Sequence, residues 1–330
     1  MDALACKWIL LVFGLLLGGG NLSGQGCCSG GVPVSGNLGL PAGNAKVVQL
    51  QLTLDHNYLD ALFAEREQLV DESRQRTTSS LLLEGSYGFT ERWALSGMVS
   101  FVRQTRTIST LSGATDFTGN VGLGDAVLLL RYNLLSDDKS PRTDLLLGAG
   151  PKFPLGRTTY TDERGILLPA DLQPGTGAWD GVFWGFFSHA GLLRPTMTFT
   201  AIPSFRLTGT NQRYNGAQAY RFGNELQLNF GFSDRFTTRL FMLDPLLMFR
   251  FRATAPDRAE RQVVSNTGGK WLHVLPGFVL GLSPSLSLRL NAEIPIFRNL
   301  TGTQLTTTYR GAIALFYSFS PSSTPKISQP

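Results

Sequence analysis

The sequence predicts an all-β protein, a transmembrane antiparallel up-and-down β-barrel of about twelve strands. Apolar residues recur with period two in runs of about 10 to 13 residues, longer than the ~5–6 usual in soluble sheets and matched to the ~9–11 that a tilted membrane strand needs. Short and long connections alternate between those runs. Only 16% of the 330 residues are charged, while Gly 37 and Phe 22 stand where a helical surface would carry Glu, Lys and Ala.

The first run sets Val48, Leu50, Leu52 and Leu54 against Gln49, Gln51, Thr53 and Asp55, which puts one face in oil and the other in a polar interior. The same alternation recurs through Leu81–Phe89, Trp93–Phe101, Phe222–Phe230 and Leu286–Ile294. It predicts strands near 47–58, 79–89, 92–103, 122–134, 143–153, 179–190, 195–207, 220–232, 236–250, 270–282, 286–297 and 307–319. The 179–190 segment is the irregular one, because Phe183, Trp184, Phe186 and Phe187 do not alternate; with Trp93, Trp271 and Tyr309 they suit an interfacial aromatic girdle or a loop folded into the lumen.

Three hairpins share one pattern, a small or polar pair between an apolar residue that ends one strand and another that starts the next: Tyr87–Trp93, Phe230–Phe236 and Leu280–Leu286. Between them lie the polar stretches 59–78, 104–121, 154–178, 208–220, 252–270 and 298–307. An even strand number puts both termini on the short-turn side, which is periplasmic in bacterial outer-membrane barrels. The last strand, Tyr309 to Phe319, resembles the aromatic-ended signal read by bacterial barrel-assembly machinery, and a Ser/Pro/Lys tail at 320–330 follows it with a disordered composition.

Ahead of the barrel, Lys7 and the apolar run Trp8–Leu17 followed by small residues form a secretory signal over 1–26. Residues 27–46 are Gly-rich and act as a flexible lead-in or fold back as a plug. Cys27 and Cys28 would be the mature chain's cysteines; as neighbours they build no disulfide framework, and lipidation of Cys27 stays open.

Charged residues with interior parity are Glu84, Asp125, Arg131, Lys152, Arg206, Glu225, Arg239, Arg289, Glu293 and Arg310. Inside a narrow barrel they are paired or wet, either as a salt-bridged polar filling or as a selective pore lining. Pro151, Pro203, Pro245, Pro276 and Pro295 fall inside strands, where each removes a ladder hydrogen bond, so bulges or kinks are expected. They serve to open a lateral window in the wall or merely to shape it.

Enzyme readings find no footing. His56, His189 and His273 form no recognisable pair with a serine, no phosphate-binding glycine loop precedes a helix, and three histidines leave little room for a metal site; neither a cofactor nor a metal is expected. The net charge of +5 is spread through loops and lumen, which speaks against nucleic acid and suits attraction of the basic loops to lipopolysaccharide phosphates.

The passage Gly122-Leu-Gly-Asp-Ala-Val-Leu-Leu-Leu-Arg-Tyr, followed by Leu147-Gly-Ala-Gly-Pro-Lys-Phe-Pro-Leu-Gly156, resembles a strand pair of the outer-membrane family named for the meta pathway of phenol degradation. Specific matching is confined to these two strands. The resemblance implies a channel in the bacterial outer membrane for small hydrophobic or aromatic solutes, with membrane lipid as its surroundings. The alternative is a non-transporting barrel acting as a structural or surface-binding protein through its long outer loops.

Overall fold

The computed structural model describes residues 45–110, 114–137, 142–238 and 241–320. The signal, most of the Gly-rich segment with both its cysteines, Arg239 and the tail from 321 lie outside them. Among the described residues no helix is long and apolar enough to cross a membrane.

The chain runs β1 (Val48–Ala64), β2 (Glu67–Leu69), β3 (Arg74–Gly88), β4 (Trp93–Ser109), β5 (Thr115–Leu123), β6 (Ala126–Asp137) and β7 (Thr143–Phe153). After a long connection with one 3-10 turn at Ala170–Leu172 come β8 (Asp180–Ala190), β9 (Met197–Leu207), β10 (Asn211–Tyr214), β11 (Gln218–Arg221), β12 (Glu225–Asp234) and β13 (Phe236–Thr237). The rest is β14 (Met242–Thr254), β15 (Arg258–Ala259), β16 (Gln262–Val263), β17 (Gly269–Ser283), β18 (Leu286–Leu300) and β19 (Thr303–Phe319). β5 and β6 are two lengths of one stave broken at Gly124-Asp125, so twelve antiparallel staves close into a barrel through the β1–β19 and β12–β14 pairs.

The predicted parity holds in the wall. In β1, Leu50, Leu52 and Leu54 are exposed outward while Gln49, Thr53, Asp55 and Asn57 are buried inward. Leu81, Leu83, Leu95, Phe101, Leu128, Leu130, Phe205, Leu226, Ile313 and Leu315 continue the apolar exterior. The irregular segment is a true stave: Phe183 points out, and Val182 and Trp184 are buried inside.

Several boundaries differ from the expectation. The stretches 104–121 and 298–307 are not loops, because β4 and β5 extend as a hairpin to Ser109 and Thr115, and β18 and β19 meet at a two-residue turn made by Gly302 with φ +73. Polar Thr, Arg and Gln residues on these lengths broke the alternation without breaking the strand, since a strand beyond the lipid needs no apolar face. Two other loops form a lid at the loop end, where β10, β11, β15 and β16 make a small separate sheet.

Prolines interrupt ladders more often than registers. Pairing lapses opposite Pro151, Pro203 and Pro276 while the register continues across each, and a register shift occurs beside Pro295. Pro245 keeps its ladder partner Phe278. Above the Glu293–Arg310 pair β18 and β19 are no longer paired, which leaves a seam in the upper wall with Pro295 at its foot.

Candidate functional site

The interior has two unlike halves. On the β3–β9 side Leu82, Met98, Val102, Val127, Leu129, Leu146, Val182 and Trp184 form a buried apolar core, with Phe186 and Ile202 at its edge. The expectation of a uniformly polar lumen is therefore corrected. These residues have interior parity but apolar side chains, so they pack on one another across the barrel and fill that half as a soluble core would. Arg131 lies over it with its guanidinium 4.7 Å from the Trp184 ring and donates to Ser96 at 2.9 Å. Glu84 is buried on the same side.

Above the core, the β7–β8 connection folds into the lumen, burying Leu168, Leu172, Gln173, Thr176 and Ala178. Gln173 holds it in shape, accepting from the Tyr160 N–H at 3.0 Å and donating to the Tyr160 and Leu168 carbonyls at 3.0 Å each. The incoming and outgoing limbs touch at Gly156 and Gly175, where a side chain on either would strike the other's backbone. Tyr160 reaches the Val121 carbonyl at 2.6 Å and covers the β5 edge that no strand pairs.

Two of the sequence-predicted residues clamp this connection. Asp125 accepts from Gly156 N–H at 3.1 Å and from Thr176 N–H and Oγ1 at 3.0 and 2.8 Å. Lys152 pairs with Asp125 at 2.6 Å and donates to the Ala178 carbonyl at 3.0 Å. The Gly-x-Gly-Asp and Gly-Pro-Lys passages thus meet in space as an anchor for the inward connection. A second tie joins Asp171 to Arg76 at 2.6 Å, with Gln104 donating to the Asp171 carbonyl at 3.1 Å. Burial raises the Asp171 carboxyl above its ordinary pKa despite the Arg76 guanidinium beside it. The lid packs on the same connection through Ala170, Tyr220 and Phe222. There Tyr220 donates to Asp257 at 2.7 Å, and burial raises the pKa of both groups.

From the clamp an alternating chain of charges runs around the wall. Lys152 faces Asp180 at 3.2 Å, Arg206 lies 4.0 Å from Asp180 and 3.7 Å from Glu225, and Arg252 meets Glu225 at 2.7 Å. On the other half Arg250 meets Glu293 at 2.5 Å, while Arg310 lies 3.8 Å from Glu293 and 2.8 Å from Asp55. Signs alternate and cancel, the arrangement that makes buried charge tolerable. Of the predicted lumen charges, Asp125, Lys152, Arg206, Glu225, Glu293 and Arg310 all enter this belt. Arg289 does not: among the described residues it has no carboxylate within 4.0 Å and no side-chain hydrogen bond, and it is exposed to the interior.

Sequence reasoning placed Asp55 on the interior face without naming it among the lumen charges, and it missed Asp180, Arg250 and Arg252, whose parity is that of their neighbours Val182 and Met248 and would have found them. It missed Asp171 because a residue in an aperiodic connection carries no facing signal.

Beneath the belt, on the β9–β1 side, lies a cavity of about 410 Å³ reaching from Arg250 and Glu293 down to Ser233 and Ser287 near the short turns. Phe186, Ile202, Leu246, Met248 and Leu275 form its apolar wall, with Asn229, Thr53 and Arg289 supplying polar groups. The upper seam between β18 and β19 is closed by side chains. Arg298 donates to the Thr307 carbonyl at 2.7 Å and lies 4.5 Å from the Phe63 ring, over buried Leu59, Trp271, Leu300 and Leu305.

His273 faces the lumen, 3.3 Å from Glu293. Trp271 is likewise inside, under Arg252, and leaves the girdle to Trp93 and Tyr309. His56 and Ser79, 23 residues apart, do meet, at 2.9 Å on the exterior wall. Among the described residues no side chain hydrogen-bonds the second ring nitrogen of His56, so the pair lacks the orienting partner that nucleophile activation needs.

No family model matches the chain, and no curated protein sequence matches it. Solved structures do. An outer membrane channel from Pseudomonas putida F1 superposes with a TM-score of 0.64 at 12% identity, covering 85% of this chain and 97% of that one. A FadL homologue from Pseudomonas aeruginosa gives 0.41 at 9% identity over 90% and 98%, and the β domain of the Bordetella autotransporter BrkA gives 0.44 at 13% identity over 84% and 100%. At these identities the first likeness shows the fold, an outer-membrane-type barrel of twelve strands, and the weaker two add nothing to the argument.

Proposed function

We propose that this protein is a channel of the bacterial outer membrane that passes small hydrophobic or aromatic solutes by diffusion. The observation that carries it is the lower cavity, where an apolar patch of Phe186, Ile202, Leu246, Met248 and Leu275 faces a polar lining inside a barrel whose exterior is apolar. The resemblance of the Gly122–Gly156 strand pair to the phenol-pathway family supports the same reading, as does the fold shared with the Pseudomonas putida channel. In this reading the short turns and termini are periplasmic, the lid and inward connection face outward, and lipid, lipopolysaccharide and barrel-assembly machinery are the partners.

The test is purified, refolded protein in planar bilayers and in liposome-swelling assays with neutral aromatic solutes. Solute flux above that of empty vesicles supports the channel; no conductance and no flux overturn it. A second reading, a non-transporting barrel, is favoured by the Asp125–Lys152 clamp, which fixes a connection across the upper lumen. It predicts no flux from the wild type or from a variant with the clamp broken.

A further inference from the structure

We infer that the lower cavity is a binding site for small amphipathic carboxylates, with Arg289 as the anion receptor. The inference rests on the channel reading for its role in transport, and on geometry alone for binding.

Charge pairing leads to it. The belt cations Lys152, Arg206, Arg250, Arg252 and Arg310 each have a carboxylate within 4.0 Å. The other cation lining the cavity, Arg235, is taken by Asp244 in a two-point contact at 2.8 and 3.0 Å. Glu293 is occupied by Arg250 and Arg310, and Asp55 by Arg310. Every carboxylate of the cavity is therefore committed elsewhere, and Arg289 remains an uncompensated positive charge within a closed wall. A guanidinium so placed presents a planar fork of donors that fits a carboxylate better than a spherical ion.

The surroundings set the rest of the ligand. Beside Arg289 in register are Val279 on one strand and Ala314 on the other, short side chains that leave its guanidinium accessible. Serine and asparagine flank it two residues away on the same face, at Ser287 and Asn291. The wall also offers an apolar patch, with Phe186, Phe316 and Met248 among its large side chains. A ligand that satisfies both parts has a carboxylate at one end and an aromatic or short aliphatic body at the other. A volume of about 410 Å³ lies in the range of small-molecule pockets, ~300–1,000 Å³.

The experiment compares three probes of like shape and different charge: benzoate, benzamide and benzamidinium. Binding to the detergent-solubilised full chain is read by titration calorimetry, and block or flux by planar-bilayer and vesicle measurements. The expected result is binding of benzoate at least about tenfold tighter than benzamide and no binding of benzamidinium, as loss of a charge-assisted hydrogen bond implies. Arg289→Gln removes that preference with the heat-dependent gel shift unchanged, and Arg289→Lys restores part of it. Equal binding of benzoate and benzamide, or an Arg289→Gln protein that still prefers benzoate, overturns the proposal. A preference for chloride with no benzoate binding overturns it too, since it shows an inorganic anion path. Benzoate binding without any conductance supports the site and removes the channel reading, while conductance without benzoate preference does the reverse.

Discussion

The two halves of the lumen solve one problem differently. Between β3 and β9 the interior is filled by an apolar core, capped by the inward connection and bolted to the wall at Asp125 and Lys152. Between β12 and β1 the same inward parity carries Arg250, Glu293, Arg310 and Asp55, and a cavity is left beneath them. Filling a lumen with apolar side chains stabilises through burial and packing, whereas lining it with paired charges contributes little net stability but keeps water and solute in reach. The filled half is thus the barrel's structural core, and in the proposed channel the hollow half is the path.

The clamp is where breaking this contrast costs most. Lys152→Met leaves Asp125 and Asp180 facing each other while both are buried, and removing one partner of such a pair costs about 3–5 kcal/mol. Urea unfolding in detergent should show the loss. The inward connection should also gain protease cleavage at Arg157 and Arg164, and conductance should rise. An unchanged cleavage pattern would mean that the connection is held by its own Gln173 network and not by the wall.

Truncations sharpen the contrast next. Trp184→Ala in the filled half is expected to destabilise by about 3–5 kcal/mol through lost burial and a cavity that neighbours cannot collapse. Met248→Ala, facing space that is already empty, should cost clearly less and widen the path. Equal costs by equilibrium unfolding would erase the distinction between the halves.

A smaller effect is expected from pH. Burial raises the folded pKa of Asp171 above the ordinary carboxylate value, so between the two values the docked connection holds a proton that the released one gives up. Docking is then favoured fully below about pH 4, the unfolded carboxylate range, and weakens as pH rises through the raised value. Channel conductance should increase over that interval, and Asp171→Asn should flatten the dependence.

Strand number, facing and the aromatic-ended last strand were legible because lipid enforces a strict period of two over long runs, as Leu50 to Leu54 against Gln49 to Asp55 shows. Where lipid ends, that constraint ends, which is why β4, β5, β18 and β19 outran their predicted limits. Parity also named Asp125, Lys152, Arg206, Glu225, Glu293 and Arg310 of the belt, but it gives a facing and not a partner. Nothing in the spacing of Asp125 and Lys152 says that both grip Thr176 and Ala178 from a connection some twenty-five residues beyond Lys152 at its far limb. The split of the lumen was readable in principle, since Leu82, Met98, Val127 and Val182 are apolar at interior parity; it was masked by the assumption that lumen means polar.

The prolines give the smallest expected effect and decide whether wall irregularity belongs to the path. Pro203 faces outward opposite Gly185, whose missing side chain leaves room for the proline ring: a Cβ on Gly185 would lie 3.1 Å from Pro203 Cγ. The ladder lapses there, yet the register is continuous on both sides, and the stave behind it carries the filled half of the lumen. Pro203→Ala restores a donor to the ladder and removes only an exterior ring, so a stability change within about 1 kcal/mol and unaltered conductance are expected. Pro295 stands at the foot of the β18–β19 seam, beside the hollow half and beneath Arg298, where the wall is held by side chains in place of a ladder. Pro295→Ala should therefore differ from Pro203→Ala in bilayer recordings with benzoate, and the same small response from both would assign the prolines to shaping the wall alone.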